Sequence, residues 1–374
     1  MVRPTIGAAR GLLVALLLAG CAGPQELATT EAGLRLAADE AEARLRASGR
    51  VVRDPELDAY LRRVLCRIVG ERCAEFRLYV LDQPGFNAAA WPNGVIEIRK
   101  GALVRLENEA QLALVLGHEA IHYQNRHVAQ LWGRAEQAVG VGALVGTVLG
   151  LRPIGEAMGV LAALSYSRDM EREADRLGLE RLAAAGYDPN EAPRLWAALL
   201  EEKARIGDSG QLAFLSTHPT DAERIAELRA GAARLPVPVS ADPTGRAAYR
   251  AATARRRGAW LAAELRARSF AASEILLDRL RAAEPESGEL LFFAGELRRL
   301  RDGPGDAEAA LALYEKARGR PDTPVEVWRS TGLVALRLGR RAAAKDALAT
   351  YLARAPTAPD RALIEQMLED QDRP

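Results

Sequence analysis

Apolar and polar positions along this chain fall mostly into helical periods, with two short stretches of strand-like alternation near the front. Leu57, Leu61, Val64, Leu65 and Ile68 recur at helical spacing over 55–69, behind Asp54 as a cap and Pro55 in the first turn. Residues 76–81 alternate in part and predict a strand, and Pro84-Gly85 marks a turn. A second strand is expected at 95–98, entered through the turn signal Pro92-Asn93-Gly94. From 104 to 132 the period is helical again. Further helices are expected at 166–185, closed by Gly186, at 189–205 and at 219–233.

Between these lies an apolar stretch, 138–165, rich in Gly, Ala, Val and Leu. Arg152-Pro153 divides it, and the uncharged part before them runs about 14 residues, too short to cross a bilayer. Two short buried helices or a lid fit it better than a membrane-dipping hairpin. Leu235-Pro236-Val237-Pro238 interrupts the pattern, so 236–245 is expected to be a linker.

Beyond 245 the pattern is one of helical pairs. Pro285, Pro321 and Pro356 stand 36 and 35 residues apart, each behind a helix carrying small residues and an aromatic or Leu. Ala307, Leu311, Tyr314 and Ala317 precede Pro321, and Ala343, Ala347 and Tyr351 precede Pro356. The period resembles that of tetratricopeptide repeats, of which about three would fit in 246–374. Plain Ala-rich helical hairpins would give a similar pattern.

Composition supports a folded, helix-rich protein: 49% hydrophobic and 27% charged residues, with only 5% aromatics, in 374 residues. That length fits two domains. Lys plus Arg is 51 against 50 for Asp plus Glu, a balance that gives no reason to expect nucleic acid as a partner.

The first 20 residues read as an export signal: Arg3 and Arg10, then the apolar run 12–19. Leu18-Ala19-Gly20-Cys21 resembles the bacterial lipobox, in which the cysteine becomes the first mature residue and carries the acyl chains. Ala22 then points toward the outer membrane, and 21–45 would be a tether. Any membrane attachment is expected to be through this lipid alone. Cys66 and Cys73 remain. Seven residues apart on one helix they would sit about 10 Å from each other, so a disulfide needs the chain to turn back near Gly70. The alternative is two buried thiols.

The chemistry concentrates in His118-Glu119-Ala120-Ile121-His122. On a helix, residues four apart differ by about 40° in direction, so both imidazoles reach one ion, and Glu119 stands beside the water that such an ion activates. A third ligand is expected from Glu171. Asp175, one turn on, would hold a histidine N–H. Glu173 should face away toward solvent or an arginine. His127 lies about 180° from His118 on a continuous helix and is expected to be structural.

Three segments together resemble the HtpX- and BepA-type zinc peptidases, the family that also includes CAAX prenyl proteases and Oma-type mitochondrial proteases. They are Asn87-Ala88 with Pro92-Asn93-Gly94 and the strand into Gly101, then Gly117 to His122, then Ser167-Arg168 through Glu171-Arg172-Glu173-Ala174-Asp175. With the signal and the repeats, the likeness to BepA-type members extends over nearly the whole mature chain and is firmest over about 50–235.

The resemblance implies a mainly α fold with a small β-sheet. A zincin-like α+β peptidase domain would occupy 46–235, ahead of the all-α repeat domain at 246–374. It implies one Zn2+ per chain on His118, His122 and Glu171, with Glu119 catalytic. His218-Pro219 resembles the family's His-Pro segment, and His218 would either cap the metal or donate to the oxyanion. Peptide substrate would lie along the strand beginning Gly94, Val95, Ile96.

The implied function is endoproteolysis of misfolded or stalled envelope proteins at the outer membrane, facing the periplasm. The repeats would hold substrate or an outer-membrane assembly machine. The alternative is a chaperone or scaffold whose metal site His218 has silenced.

Overall fold

The computed structural model describes residues 24–139, 165–207, 212–236 and 241–372. The export signal, Cys21 and residues 140–164 of the apolar stretch lie outside the described residues. The fold is mainly helical with one three-stranded sheet.

Helix α1 (Pro24–Ala47) occupies the segment expected to be a tether. Leu34, Ala37, Ala38 and Leu45 are buried, and Glu42 accepts from Arg77 (2.8 and 2.6 Å), the Tyr79 hydroxyl (2.7 Å) and Asn93 (3.0 Å). A helix bonded this way to strand residues is part of the fold. Its apolar positions are spaced among many charges, which is why the sequence pattern hid it.

Helix α2 (Pro55–Val69) starts where Asp54 accepts from the Leu57 amide, and its apolar stripe is buried. It stops at Gly70, whose φ of 62° suits glycine, and a 3-10 turn (Gly70–Glu75) folds the chain back. Cys66 and Cys73 are thereby bonded, their Cα atoms 4.9 Å apart.

The sheet has the order β1 (Arg77–Leu81), β3 (Val95–Arg99), β2 (Ala88–Ala90). β1 and β3 are parallel, and β2 pairs antiparallel with β3 in the register Ala90↔Ile96. This corrects the expectation for Gly94, Val95 and Ile96. They open the central strand, paired on both sides, and offer no free edge. The edge is Ala88–Ala90, brought back by the turn at Trp91–Gly94. A Cβ on Gly94 would lie 2.3 Å from the Glu75 carbonyl oxygen, and its φ is 85°. Three alanines carry no strand preference, so nothing in their pattern announces β2.

The helix expected over 104–132 is three: α3 (Lys100–Arg105), α4 (Glu109–Gln124) and α5 (His127–Val139). Asn108 caps α4 through the Gln111 amide at 2.9 Å, and every residue from Ala110 to His122 is buried. A helix buried all round is a core helix. Around it pack the sheet, α2, α6 (Arg168–Ala184) and α7 (Glu191–Ile206). A short turn, α8 (Phe214–Thr217), and α9 (Ala222–Ala232) follow.

Of the expected linker 236–245, residues 241–245 are fastened to the core. Pro243 and Thr244 carbonyls accept from the Asp188 and Ala110 amides, both at 2.9 Å. Helix α10 (Arg246–Arg266) then carries Glu264 into the interior. Glu264 meets the buried Arg105 at 3.0 Å and accepts from the Gly85 amide at 2.7 Å, and Glu202 on α7 meets Arg105 at 3.1 Å.

The remaining helices run on in pairs: α11 (Phe270–Ala283), α12 (Gly288–Arg301), α13 (Asp306–Arg318), α14 (Glu326–Arg337), α15 (Arg341–Arg354) and α16 (Arg361–Asp372). One contact type recurs. Gly295 of α12 faces the Tyr314 ring on α13, and Gly332 of α14 faces Leu348 on α15. A Cβ on Gly295 would stand 2.3 Å from the ring. Gly295→Ala should therefore lower stability by about 1–3 kcal/mol through overpacking, read as a lower denaturant midpoint at unchanged slope. A midpoint that rises would mean the ring gives way freely.

Candidate metal centre

Helix α4 delivers His118 and His122 from one face, and α6 packs against that face, with Gly178 next to the His118 backbone. A Cβ there would sit 3.8 Å from the His118 backbone nitrogen, in ordinary contact. Glu171 on α6 and His218 just after α8 complete the cluster. The four donor atoms lie within 4.8 Å of one another, and all four residues are buried.

The separations test whether a cation belongs between them. Two ligands on a tetrahedral zinc, each at about 2.05 Å, stand about 3.3 Å apart. His118 Nε2 is 3.0 Å from His122 Nε2 and 3.3 Å from His218 Nδ1. Glu171 Oε1 is 3.3 Å from His122 Nε2 and 3.0 Å from His218 Nδ1. Imidazole nitrogens packed this tightly cannot all satisfy one another as donors and acceptors. A zinc ion fits the separations and the chemistry of the donor set.

Charge is distributed accordingly. Burial opposes the His118 cation, but Asp175 and Glu171 beside it prevail and hold its pKa up at about 10. Burial pushes His122 well below the ordinary histidine value. Burial would raise Glu171, but His218, His118 and His122 keep it well below the carboxylate range. Glu119 is pushed up by burial.

Glu119 Oε2 accepts from the Ala90 amide at 2.8 Å, which joins the motif to the edge strand β2. Its other oxygen, Oε1, is buried, has no hydrogen-bond partner among the described residues and lies 3.6 Å from His218 Nε2. The His218 ring stacks on Phe214 with centroids 4.1 Å apart, and Tyr166 lies over His122 at 3.9 Å. A cavity of 260 Å³ opens beside this group, lined by Ala89, Ala90, Trp91, Tyr166 and His218 among others.

Around the donors is a layer of fixed partners. Asp175 Oδ1 lies 3.2 Å from His118 Nδ1 and accepts from the Trp196 indole at 3.2 Å. Arg224 on α9 reaches Asp175 Oδ2 at 2.8 and 2.7 Å and Glu171 Oε2 at 2.8 Å. His122 Nδ1 meets His127 Nδ1 at 3.0 Å, and His127 Nε2 meets Glu173 Oε2 at 3.0 Å.

His118, Glu119, His122, Glu171, Asp175 and His218 thus converge in one place, while Gly94, Val95 and Ile96 do not form its edge. Two expectations change. Glu173 pairs with a histidine, and His127 touches a member of the cluster. Both follow from the break at Asn125 and Arg126, which turns α5 back over α4. The sequence carries no glycine or proline there to signal it.

The sequence model for peptidase family M48 matches residues 52–232. Among curated proteins, the beta-barrel assembly-enhancing protease of Escherichia coli K12 is 28% identical over 208 residues, 50% of this chain and 41% of the relative. The mitochondrial metalloendopeptidase OMA1 of Schizosaccharomyces pombe is 33% identical over 174 residues, 45% and 51% respectively. That of Arabidopsis thaliana is 35% identical over 158 residues, 40% and 30%. The aligned part spans about half the length of these relatives or less.

At neutral pH His118 carries a proton that an incoming cation must displace. Zinc titration by calorimetry in two buffers of different ionisation enthalpy should register release of about one proton, with apparent affinity climbing between about pH 6 and pH 9. A heat independent of buffer would refute a protonated His118.

Proposed function

Because residues 52–232 carry a peptidase family M48 domain, we propose that the chain is a zinc-dependent endopeptidase in which His118, His122 and Glu171 hold the ion and Glu119 is the general base. The convergence of buried donors from two helices, with a carboxylate beside them, carries this reading. A bound zinc ion acidifies a water and polarises the scissile carbonyl.

Glu119 would accept a proton from the attacking water at Oε1, while the Ala90 amide holds Oε2 and so fixes the carboxylate plane. Its raised affinity for protons suits the task, since a stronger base accepts more readily and can then protonate the leaving amine. The scissile peptide lies extended along the outer edge of β2, whose Ala90 amide is held by Glu119 and which pairs with no strand among the described residues, at the cavity lined by Ala89, Ala90 and Trp91. Backbone pairing there supplies affinity with little sequence preference. Asp175 fixes the tautomer of His118, and Arg224 holds Asp175 and Glu171 in place.

His218 supports a second reading, a scaffold whose metal site is closed. Its Nδ1 stands 3.0 Å from Glu171 and 3.3 Å from His118, where a fourth ligand would sit. We favour a reversible cap on a working enzyme, because Glu119 is kept in position beside it.

Export, acylation at Cys21 and a site at the outer membrane facing the periplasm are part of the proposal. They are supported by the lipobox-like residues and by a name shared among relatives, beta-barrel assembly-enhancing protease. Among the described residues no helix is long and apolar enough to cross a membrane. Misassembled envelope proteins would be the substrates, with the tetratricopeptide-like helices of 246–374 engaging them or an assembly complex.

Casein cleavage by the mature protein tests the enzyme reading. Glu119→Gln should retain zinc and lose about 10²–10⁴-fold in rate, and His218→Ala should match or exceed wild type. Unchanged cleavage by Glu119→Gln would sink the enzyme reading. Loss of cleavage in a folded His218→Ala would replace the cap with an oxyanion donor.

A further inference from the structure

The two imidazoles on α4 are held from behind by different devices. His118 has a carboxylate directly at its Nδ1, Asp175 at 3.2 Å. His122 has another imidazole there, His127, with Nδ1 to Nδ1 3.0 Å, and the carboxylate comes one step later, Glu173 Oε2 at 3.0 Å from His127 Nε2. Nothing in the function proposed above requires His127 or Glu173.

On a straight helix His127 would point away from His122. It is brought back by Arg126, a non-glycine residue at φ 56°, a left-handed conformation that persists only where its surroundings enforce it. They do. The Asn125 amide donates to the Ile121 carbonyl at 2.8 Å, the Arg126 amide to Tyr123 at 3.0 Å, and Gln130 Nε2 to the Asn125 carbonyl at 2.9 Å. His127 is buried to 1%, whereas Glu173 is 44% exposed.

We infer that His127 and Glu173 are positioning residues for the metal centre, forming a relay that fixes the tautomer of His122. The arrangement of protons is forced. His122 turns Nε2 toward His118 and Glu171, so that nitrogen must be bare to bind a cation. Its proton is then on Nδ1 and is donated to His127 Nδ1, which must be unprotonated. His127 therefore carries its own proton on Nε2 and donates it to Glu173. Each group has one proton and one partner, and the chain ends on a carboxylate that water also solvates. The inference rests on the zinc reading above.

Competition with a zinc chelator on the full mature chain tests it. Partners behind a ligating histidine typically contribute 10- to 100-fold in metal affinity. His127→Ala should weaken zinc by about that range, and Glu173→Ala by about tenfold at its lower end. Glu173→Gln, which keeps an accepting oxygen, should restore most of the loss. Because Glu173 is half-exposed and lies outside the apolar core, melting of the metal-free protein should be the same for wild type and both Glu173 variants, which separates positioning from folding. In ¹⁵N spectra of the zinc-loaded wild type, His122 should be protonated at Nδ1 and His127 bare at Nδ1. Wild-type zinc affinity in Glu173→Ala, or a proton on His127 Nδ1, overturns the relay alone. A wild type that binds no zinc overturns the site reading itself, and the relay falls with it.

Discussion

Three imidazoles and three carboxylates meet inside an otherwise apolar core, and the surrounding architecture answers to that fact. Unpaired polar groups in such a place are costly, and ionised ones more so. Helix α4 passes through the middle of the core, so its polar side chains are shielded from bulk solvent. Each must find a partner on another element. The sheet supplies the Ala90 amide, α6 supplies Glu171 and Asp175, the segment after α8 supplies His218, and α5 supplies His127. The elements are arranged as they are because each one satisfies a group on α4.

The same need repeats one layer out. Glu171 and Asp175 each gain a charged partner in Arg224, which contributes three nitrogens and ties α9 to α6. Trp196 adds an indole N–H from α7. The Arg224 guanidinium is compatible with burial because its fork is matched by two carboxylates at once. Rigidity at the centre is thus produced by residues spread from Ala90 to Arg224, most of them on helices.

How much of this the sequence disclosed depended on whether a rule of local geometry applied. His118, Glu119 and His122 were legible because a helical turn fixes their relation. Glu171 and Asp175 were legible because zinc chemistry asks for a carboxylate and a supporting carboxylate, and one helix offered both at the right interval. The edge strand was misplaced because Ala88–Ala90 has no side chain that prefers a strand, whereas Val95–Ile98 has. His127 was set aside on the assumption that its helix ran straight through Asn125 and Arg126. Helix α1 was missed because its contacts, above all Glu42 with Arg77 and Tyr79, are made by charged residues.

The buried Arg105 has a bearing on how the molecule holds together as a machine. Its charge is shared between Glu202, from the front half, and Glu264, from the first long helix of the back half, and Glu264 also grips the Gly85 amide just ahead of the edge strand. The helical back half is therefore a structural wall of the front one. A load taken up by the C-terminal helices would be transmitted through α10 to the very backbone that leads into β2, and excising 246–372 would leave the Arg105 guanidinium short of one of its two carboxylates in dry surroundings.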